Sequence, residues 1–346
     1  MFLRGCDFIG VNKLDMKQSN ALTVLWALRS CKTSTIKDLA QITGLSFATV
    51  CNILNGFVES GEVILGNMQS TTGGRPSQAY TFHAEYAYVL ALSTRIRNGK
   101  NIISASVGNL YGEIVWQEEQ NFDTIQLTSF ESIIESSLQA YPSICIVAFS
   151  LPGIERNGVI LINDYTELVG ISFTKHFQSK YQLSVVIEND VNTAVFGYAR
   201  KIEAVSVLVG IYFPRAFGPG AGTVIDKIIL KGSCGFAGEV CLLPIGIDWL
   251  TIDYENPKEV GPAISRLISI FCGTVNPDQV VLYGDFFNDA LIDVIKQEIP
   301  NQAIGNIFPD IDYTSDLDND IIAGLFALAL SEYQYGVRGK DHQWIK

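Results

Sequence analysis

A glycine-containing break between two amphipathic helices, followed by two short strands, constrains the first 82 residues more than any other feature. Apolar residues recur at helical spacing before and after Gly44, and glycine commonly ends a helix. Thr35 stands at the N-cap position of the second helix. A third helix is predicted from about Phe47 to Glu59, so the pattern is a helix, a short turn and a helix.

Two strand-like stretches follow these helices, at 63–65 and 79–82, with Gly73, Gly74, Arg75 and Pro76 in the turn between them. We interpret residues 1–82 as a winged helix-turn-helix domain, the arrangement that places its second helix in a DNA major groove. Two other interpretations stay open. The strands can be a plain hairpin, and a three-helix unit can be a protein-interaction module.

The predicted recognition helix carries no Lys or Arg. Its outward face offers Ser46, Thr49, Asn52 and Asn55. We expect the first three to face bases, while Arg75 reaches an adjacent groove or a phosphate. The expected macromolecular partner is a double-stranded DNA operator.

The charge of the chain is divided unevenly. Residues 1–82 hold seven Lys and Arg against five Asp and Glu, whereas the remainder holds 17 against 31. Because an acidic body cannot lie on a phosphate backbone, nucleic-acid contact is confined to the first 82 residues. One weakly charged head binds DNA poorly, so a homodimer or a dimer of dimers is predicted.

Composition excludes several other classes of protein. No apolar run has membrane-spanning length, and the N-terminus lacks the pattern of a secretion signal. The seven cysteines are scattered, without metal-ligand spacing, which is typical of reduced thiols in the cytoplasm. We therefore expect a cytoplasmic protein that contacts no membrane.

Residues beyond 82 alternate between strand and helix patterns. Three successive strands are followed by a helix, the apolar strand 144–149, a second helix and the strand 184–188, and a similar series begins at 205. This order predicts α/β structure in two actin-like, or ribonuclease-H-like, lobes with a ligand cleft between them. The first lobe spans 83–195 and is completed by a C-terminal helix at about 320–336. The second spans 196–319 and carries the dimer contacts.

Six motifs, in order, resemble those of the ROK family, a group of bacterial repressors and sugar kinases. The resemblance covers nearly the whole chain and points to the sugar-responsive N-acetylglucosamine, glucose and xylose repressors. The motifs are the head at 20–82, Leu151-Pro152-Gly153, Glu188-Asn189-Asp190-Val191-Asn192, Gly218-Pro219-Gly220-Ala221-Gly222, Gly235-Phe236-Ala237-Gly238-Glu239 and 276–282.

The resemblance implies roles for single residues. Asp190 matches the base of ROK kinases, which takes the proton of a sugar hydroxyl, and Asn189 matches a neighbouring residue that binds sugar hydroxyls. Glu239 matches another sugar contact, and Gly153 is placed with these three in an effector site. In the alternative interpretation, Asn189 and Asp190 only cap the following helix and Glu239 lies in a surface turn.

Three departures from the family pattern argue against kinase activity. The phosphate motif is replaced by the stretch from Leu92 to Arg97, which has neither the family's acid nor its glycines. Pro219 stiffens the second glycine-rich segment and removes a backbone donor. The zinc cluster is also missing, with Cys241 followed by Leu242 where the ligating His is expected.

The combined prediction is a transcriptional regulator, most simply a repressor of sugar-metabolism genes, that responds to a sugar-like effector. It is predicted to be no enzyme, with no cofactor, no metal and only a vestigial catalytic base at Asp190. One alternative is a ROK-type sugar kinase with an unusual phosphate site. A third possibility is a scaffold whose cleft binds nothing.

Overall fold

The computed structural model of the chain describes residues 13–69, 76–97, 99–298 and 308–333. These residues divide into two compact units. The first contains the described residues up to Ala87 together with 109–111, and the second contains 88–108 and the described residues from 112 to 333.

The first unit consists of three helices and a three-stranded antiparallel sheet of order β1-β3-β2. Its elements are α1 (Lys13–Cys31), β1 (Thr33–Thr35), α2 (Ile36–Thr43), α3 (Phe47–Ser60), β2 (Val63–Gln69) and β3 (Ser77–Phe82).

Local residue chemistry sets the bounds of α2 and α3. The Thr35 hydroxyl accepts a hydrogen bond from the Asp38 backbone N–H, and Gly44 ends α2 in the left-handed conformation at φ 71°. Ser46 caps α3 in the same manner, accepting from the Thr49 N–H, and Gly61 ends that helix at φ 86°. The cap at Thr35 and the break at Gly44, both expected from the sequence, are confirmed.

One feature of this unit escaped the sequence analysis. The strand β1 pairs with β3 between Thr33 and Thr81, yet its three residues were too few to give a strand pattern. The predicted turn between β2 and β3 lies, apart from Pro76, outside the described residues, and this includes Arg75.

The second unit begins with a five-stranded sheet of order β10-β7-β4-β5-β6, in which β7 runs parallel to both β4 and β10. Its elements are β4 (Tyr88–Arg97), β5 (Lys100–Asn109), β6 (Ile114–Phe122), α4 (Leu127–Ala140), β7 (Ile144–Leu151), β8 (Ile154–Arg156), β9 (Val159–Ile162), α5 (Phe173–Tyr181), β10 (Ser184–Asn189) and α6 (Asp190–Tyr198).

A second five-stranded sheet has the order β13-β12-β11-β14-β15, with β14 parallel to β11 and β15. Its elements are β11 (Val207–Tyr212), β12 (Gly220–Ile225), β13 (Ile228–Ile229), α7 (Pro257–Thr274), β14 (Gln279–Tyr283), α8 (Asp289–Glu298), β15 (Asp310–Thr314) and α9 (Leu317–Glu332).

Each sheet carries its own apolar core. Aromatic side chains, among them Phe130, Phe149 and Phe173, fill the first core, and Phe213 and Trp249 lie in the second. Burial of this apolar surface is the main favourable contribution to folding.

Helices α6 and α9 pack together at backbone distance. A Cβ atom on Gly197 would lie 2.0 Å from the Asp320 carbonyl oxygen, and one on Gly324 would lie 2.0 Å from that of Thr193. Only glycine permits this approach, so the two residues set the spacing of the helices that follow β10 and β15. Within the described part of the chain, no helix combines the length and apolar character needed to cross a membrane.

Candidate functional site

Strand register brings three chain segments to one sheet edge. Ser93 in β4 is aligned with Ser150 in β7, and Ser150 is aligned with Glu188 in β10. Because these strands are parallel, their carboxyl ends meet at the same edge, where ligands of α/β proteins bind. Gly153 follows β7 at this edge, and Asp190 follows β10.

Asn189 has a structural role at this edge. Its Oδ1 accepts a hydrogen bond of 3.1 Å from the Asn192 backbone N–H and so caps α6. Its Nδ2 donates across 3.1 Å to the Gly153 carbonyl oxygen. Asn189 therefore caps α6, as the alternative interpretation expected, and each of these two bonds uses one of the two donors or one of the two lone pairs of its amide.

The Gly153 turn depends on the absence of a side chain. The residue has φ 90°, and a Cβ atom there would lie 2.1 Å from the Ile162 carbonyl oxygen. Its place at the edge follows from this close approach and from the bond to Asn189. Gly153 shapes the site through its backbone.

Glu239 reaches the site from the second sheet. It precedes a short helical turn, and the preceding Gly238 is anchored to β12 because the Ala221 N–H donates to the Gly238 carbonyl oxygen over 2.8 Å. Gly238 has φ 107°, and a Cβ atom there would lie 1.9 Å from the Ala221 carbonyl oxygen. Gly153 and Gly238 thus fix the backbone beside Asp190 and Glu239.

A third carboxylate, Asp164, acts on both of these acids. Burial is the largest cause that raises the pKa of Asp190 and of Glu239, and the negative charge of Asp164 adds to both shifts. Asn163 holds the local turn by donating from Nδ2 to the Pro152 carbonyl oxygen at 2.6 Å and accepting from the Tyr165 N–H at 2.8 Å. Sequence analysis missed Asp164. The available signal was the Asn-Asp pair directly after the apolar stretch 159–162.

Burial dominates the electrostatics of the site. It raises the pKa of Asp190 to about 6, with the charges of Asp164 and Glu239 adding to the effect and a hydrogen bond from the Val191 N–H opposing it. Desolvation is also the main cause that raises the pKa of Asp164 and of Glu239. The structure therefore brings Asp190 and Glu239 together, as the sequence predicted, and adds Asp164.

Two phenols lie within the field of these acids. Burial raises the pKa of Tyr165 to about 12, and the charges of Asp164 and Asp190 contribute to the rise. Burial also raises the pKa of Tyr212 to about 12, again with a contribution from Asp190. Carboxylates that accept hydrogen bonds thus lie beside hydroxyls that donate and accept, a combination suited to a hydroxyl-rich, uncharged molecule.

Arg95 occupies the segment that replaces the phosphate motif. Its guanidinium forms ion pairs with Glu119 of β6 and Asp318 of α9. Arg97 lies 3.6 Å from Glu119 and 3.5 Å from Asp318, measured between side-chain nitrogen and oxygen atoms. The segment is thus engaged with protein carboxylates.

The second glycine-rich segment is largely strand. Gly220 and Gly222 lie in β12, and a Cβ atom on Gly222 would stand 3.1 Å from the Asn192 Cα. These glycines therefore allow close packing of β12 against α6. Among the described residues, no group of three His, Cys, Asp or Glu side chains is placed to hold a metal ion.

The four residues expected to contact DNA have different surroundings. Ser46 and Asn52 are exposed and Thr49 is half-buried at the start of α3, but the Ser46 and Thr49 oxygens lie 2.8 Å apart and take part in the helix cap. Asn52 is exposed on the second turn. The expectation for Arg75 lies outside the described residues.

Comparison with known proteins gives concordant matches. Residues 94–246 match the ROK family. The xylose repressor of Caldicellulosiruptor bescii is 25% identical over 92% of this chain and 96% of its own length. The xylose repressor of Bacillus subtilis is 24% identical over 64% of this chain and 57% of its own length.

Solved structures share the fold. A ROK family transcriptional regulator, a homologue of the E. coli MLC protein, aligns with a TM-score of 0.65 and 17% identity over 92% of this chain and 99% of its own. The ROK hexokinase of Thermus thermophilus aligns with a TM-score of 0.56 and 15% identity over 72% of this chain and 100% of its own. The second unit is thus of mixed α/β fold, similar to ROK proteins, and the chain carries a ROK family domain.

Proposed function

We propose that the chain is a transcriptional repressor that binds an operator through its first unit and a sugar through the carboxylate-lined edge of its second unit. The alignment with the C. bescii xylose repressor carries this proposal, since it spans 92% of the chain and therefore includes both units. The relatives named xylose repressor make a pentose the first effector to test.

The helices and strands of the first unit support its assignment as a winged helix-turn-helix domain. Helices α2 and α3 are joined by the three residues 44–46, and β2 pairs with β3 as the two strands of a wing. The exposed Asn52 lies on α3, which is the helix that enters a major groove in this domain class. We therefore assign operator binding to residues 1–82.

The effector site is proposed at Asp164, Asp190 and Glu239, with Gly153 and Asn189 shaping its backbone. Three carboxylates in mutual electrostatic contact disfavour an anionic ligand such as a sugar phosphate. A neutral sugar instead supplies the hydroxyl donors that carboxylates accept. Ligand binding between elements of both sheets would favour one relative position of those sheets and so change operator affinity.

Kinase activity is the less favoured alternative. The ion pairs of Arg95 with Glu119 and Asp318 stand where the family's phosphate motif is expected. Asp190 remains in the position of a catalytic base, but a base alone does not bind ATP. The proposal therefore includes no cofactor and no metal. It also includes assembly as a homodimer or a dimer of dimers, because two weakly charged heads bind DNA better than one.

One experiment tests both halves of the proposal. The full chain is incubated with random duplex DNA, the bound sequences are enriched, and affinity for the enriched site is measured by fluorescence anisotropy with and without D-xylose, D-glucose or N-acetylglucosamine. We expect a sequence-specific complex whose affinity changes with one sugar. Asp190→Ala and Glu239→Ala should remove the sugar response and leave sugar-free affinity nearly unchanged.

Specific outcomes would contradict this function. Failure to enrich any sequence excludes the repressor assignment, and sugar-dependent ATP consumption that is lost in Asp190→Asn favours the kinase. A response that survives unchanged in both alanine variants places the effector site elsewhere. Enrichment of DNA without thermal stabilisation by any sugar favours a protein with an unused cleft.

A further inference from the structure

The first turn of α3 presents an apolar surface to solvent. Phe47 is the first residue of this helix and is 59% exposed. Ala48 beside it is also exposed. Removing an aromatic ring of this size from water is favourable, so a ligand surface that covers Phe47 would gain binding free energy.

The polar residues of the same turn are already engaged. The Ser46 Oγ accepts from the Thr49 N–H at 3.2 Å, and the two hydroxyl oxygens lie 2.8 Å apart. These contacts stabilise the start of α3. The expectation that Ser46 and Thr49 read bases is thereby weakened, and Phe47 is left as the largest accessible group of the turn.

The fourteen residues of α3 include no Lys or Arg. These are the side chains that most often recognise guanine in the major groove. Asn52 is exposed four residues after Ala48, and Asn55 is exposed eight residues after Phe47, so both continue the same helix faces. Asparagine forms two hydrogen bonds with adenine.

The major groove displays one apolar group, the C5-methyl of thymine, and phenylalanine is one of the side chains that contact it. In helix-turn-helix domains, residues at the start of the second helix face the base edges. We propose that Phe47 recognises thymine methyl groups, so that each operator half-site has thymine beneath the first turn of α3 and A·T pairs beneath Asn52. This specificity rests on the proposed repressor function.

Replacement of thymine by uracil isolates the methyl group, because the two bases differ only there. The full chain is first used to enrich a site from random duplex DNA, and each thymine of that site is then replaced singly by uracil. We expect wild-type protein to bind about fourfold more weakly at one or two of these positions, the effect of one buried methyl. Binding to other uracil positions should be unchanged.

Variants assign the effect to Phe47. Phe47→Ala should bind the thymine site several-fold more weakly and bind thymine and uracil sites equally, whereas Phe47→Leu should keep the preference for thymine. Met16→Ala removes an apolar side chain of similar exposure, 54%, from α1 and should keep the wild-type preference. Because Phe47 is exposed, its variants should retain the wild-type melting temperature.

The outcomes separate this inference from the repressor proposal. A wild-type protein that enriches a site but tolerates uracil at every position overturns the role of Phe47 and leaves operator binding standing. The same holds if Phe47→Ala keeps the thymine preference and instead changes the oligomeric state, which assigns Phe47 to a contact between copies. A wild-type protein that enriches no site overturns both.

Discussion

Lys231 Nζ lies 2.6 Å from Glu188 Oε2, joining the segment after β13 to strand β10, which ends at Asn189 directly before Asp190. The Glu188 side chain is only 5% exposed, and its other oxygen accepts from the Asn189 backbone N–H at 3.0 Å and from Asn192 Nδ2 at 3.2 Å. One buried carboxylate therefore connects the second sheet, the end of β10 and the start of α6.

Lys231→Met should destabilise the protein, because it leaves the buried Glu188 without its cationic partner. Lys231 itself is half-exposed, at 51%, so solvent screening limits the expected loss to about 1 kcal/mol. Urea unfolding measures this loss of stability. Lys258→Met removes an exposed lysine at the start of α7 and is the matched control. Equal midpoints for the two variants would contradict the bridging role of Lys231.

Gly153→Ala should disrupt the edge of the first sheet. The added Cβ would meet the Ile162 carbonyl oxygen at 2.1 Å, so the Gly153 backbone must shift, and this disturbs the hydrogen bond that its carbonyl accepts from Asn189. Gly246→Ala is the control, since Gly246 also has a positive φ of 70° but no atom within 4 Å of the added Cβ. Both variants bear the left-handed strain of about 1 kcal/mol.

The difference between these two glycine variants reports the steric clash. We expect a clearly lower melting temperature for Gly153→Ala than for Gly246→Ala, together with a weakened sugar response only in Gly153→Ala. If the two proteins melt together and respond equally, the turn at Gly153 does not require close backbone approach.

Asp190 should make stability depend on pH. Its pKa is raised from 3.8 to about 6, so its contribution to the stability of the sugar-free protein is complete below pH 4 and is lost as pH rises through 6. Asp190→Asn, which stays uncharged, should flatten this part of the profile and stabilise the protein at pH 7.5 by roughly 2 kcal/mol. Thermal unfolding between pH 4 and 8 measures both effects.

Asp123→Asn serves as the control for that profile, because Asp123 is exposed at the end of β6. It should follow the wild-type pH dependence. A wild-type profile that is flat between pH 4 and 7, or an Asp190→Asn profile that parallels it, would show that Asp190 is not desolvated in solution.

Local signals explain why much of the fold could be predicted. Thr35, Gly44 and the apolar run at 144–149 act through neighbouring residues, so pattern and capping chemistry were sufficient to place α2 and β7. The ends of elements were less accurate. The predicted strand 184–188 is one residue too short, because Asn189 also pairs with Leu151 and so belongs to β10.

Tertiary contacts explain what the sequence could not predict. Asp164 lies at the candidate site because the antiparallel strands β8 and β9 and the hydrogen bond from Asn163 to Pro152 return the chain to the sheet edge. No local sequence pattern predicts that return. The same applies to Arg95, whose partners Glu119 and Asp318 are distant in sequence. No local pattern in the sequence predicted these ion pairs.

The final prediction concerns Asp164 as a ligand contact. If the three acids accept hydroxyl groups of one sugar, Asp164→Ala should weaken the sugar response of the operator complex by about 10- to 100-fold in sugar concentration, the effect of one hydrogen bond to a charged group. Sugar-free operator affinity should stay unchanged. Titration of the anisotropy signal with the active sugar gives both values.

Glu167→Ala is the matched control, because it removes an exposed carboxylate three residues further along the same segment. It should respond at the wild-type sugar concentration. Asp164→Asn should retain part of the response, since its amide oxygen still accepts a hydrogen bond although the charge is lost. If Asp164→Ala and Glu167→Ala respond alike, Asp164 influences Asp190 and Glu239 only through its charge, and the sugar is bound without it.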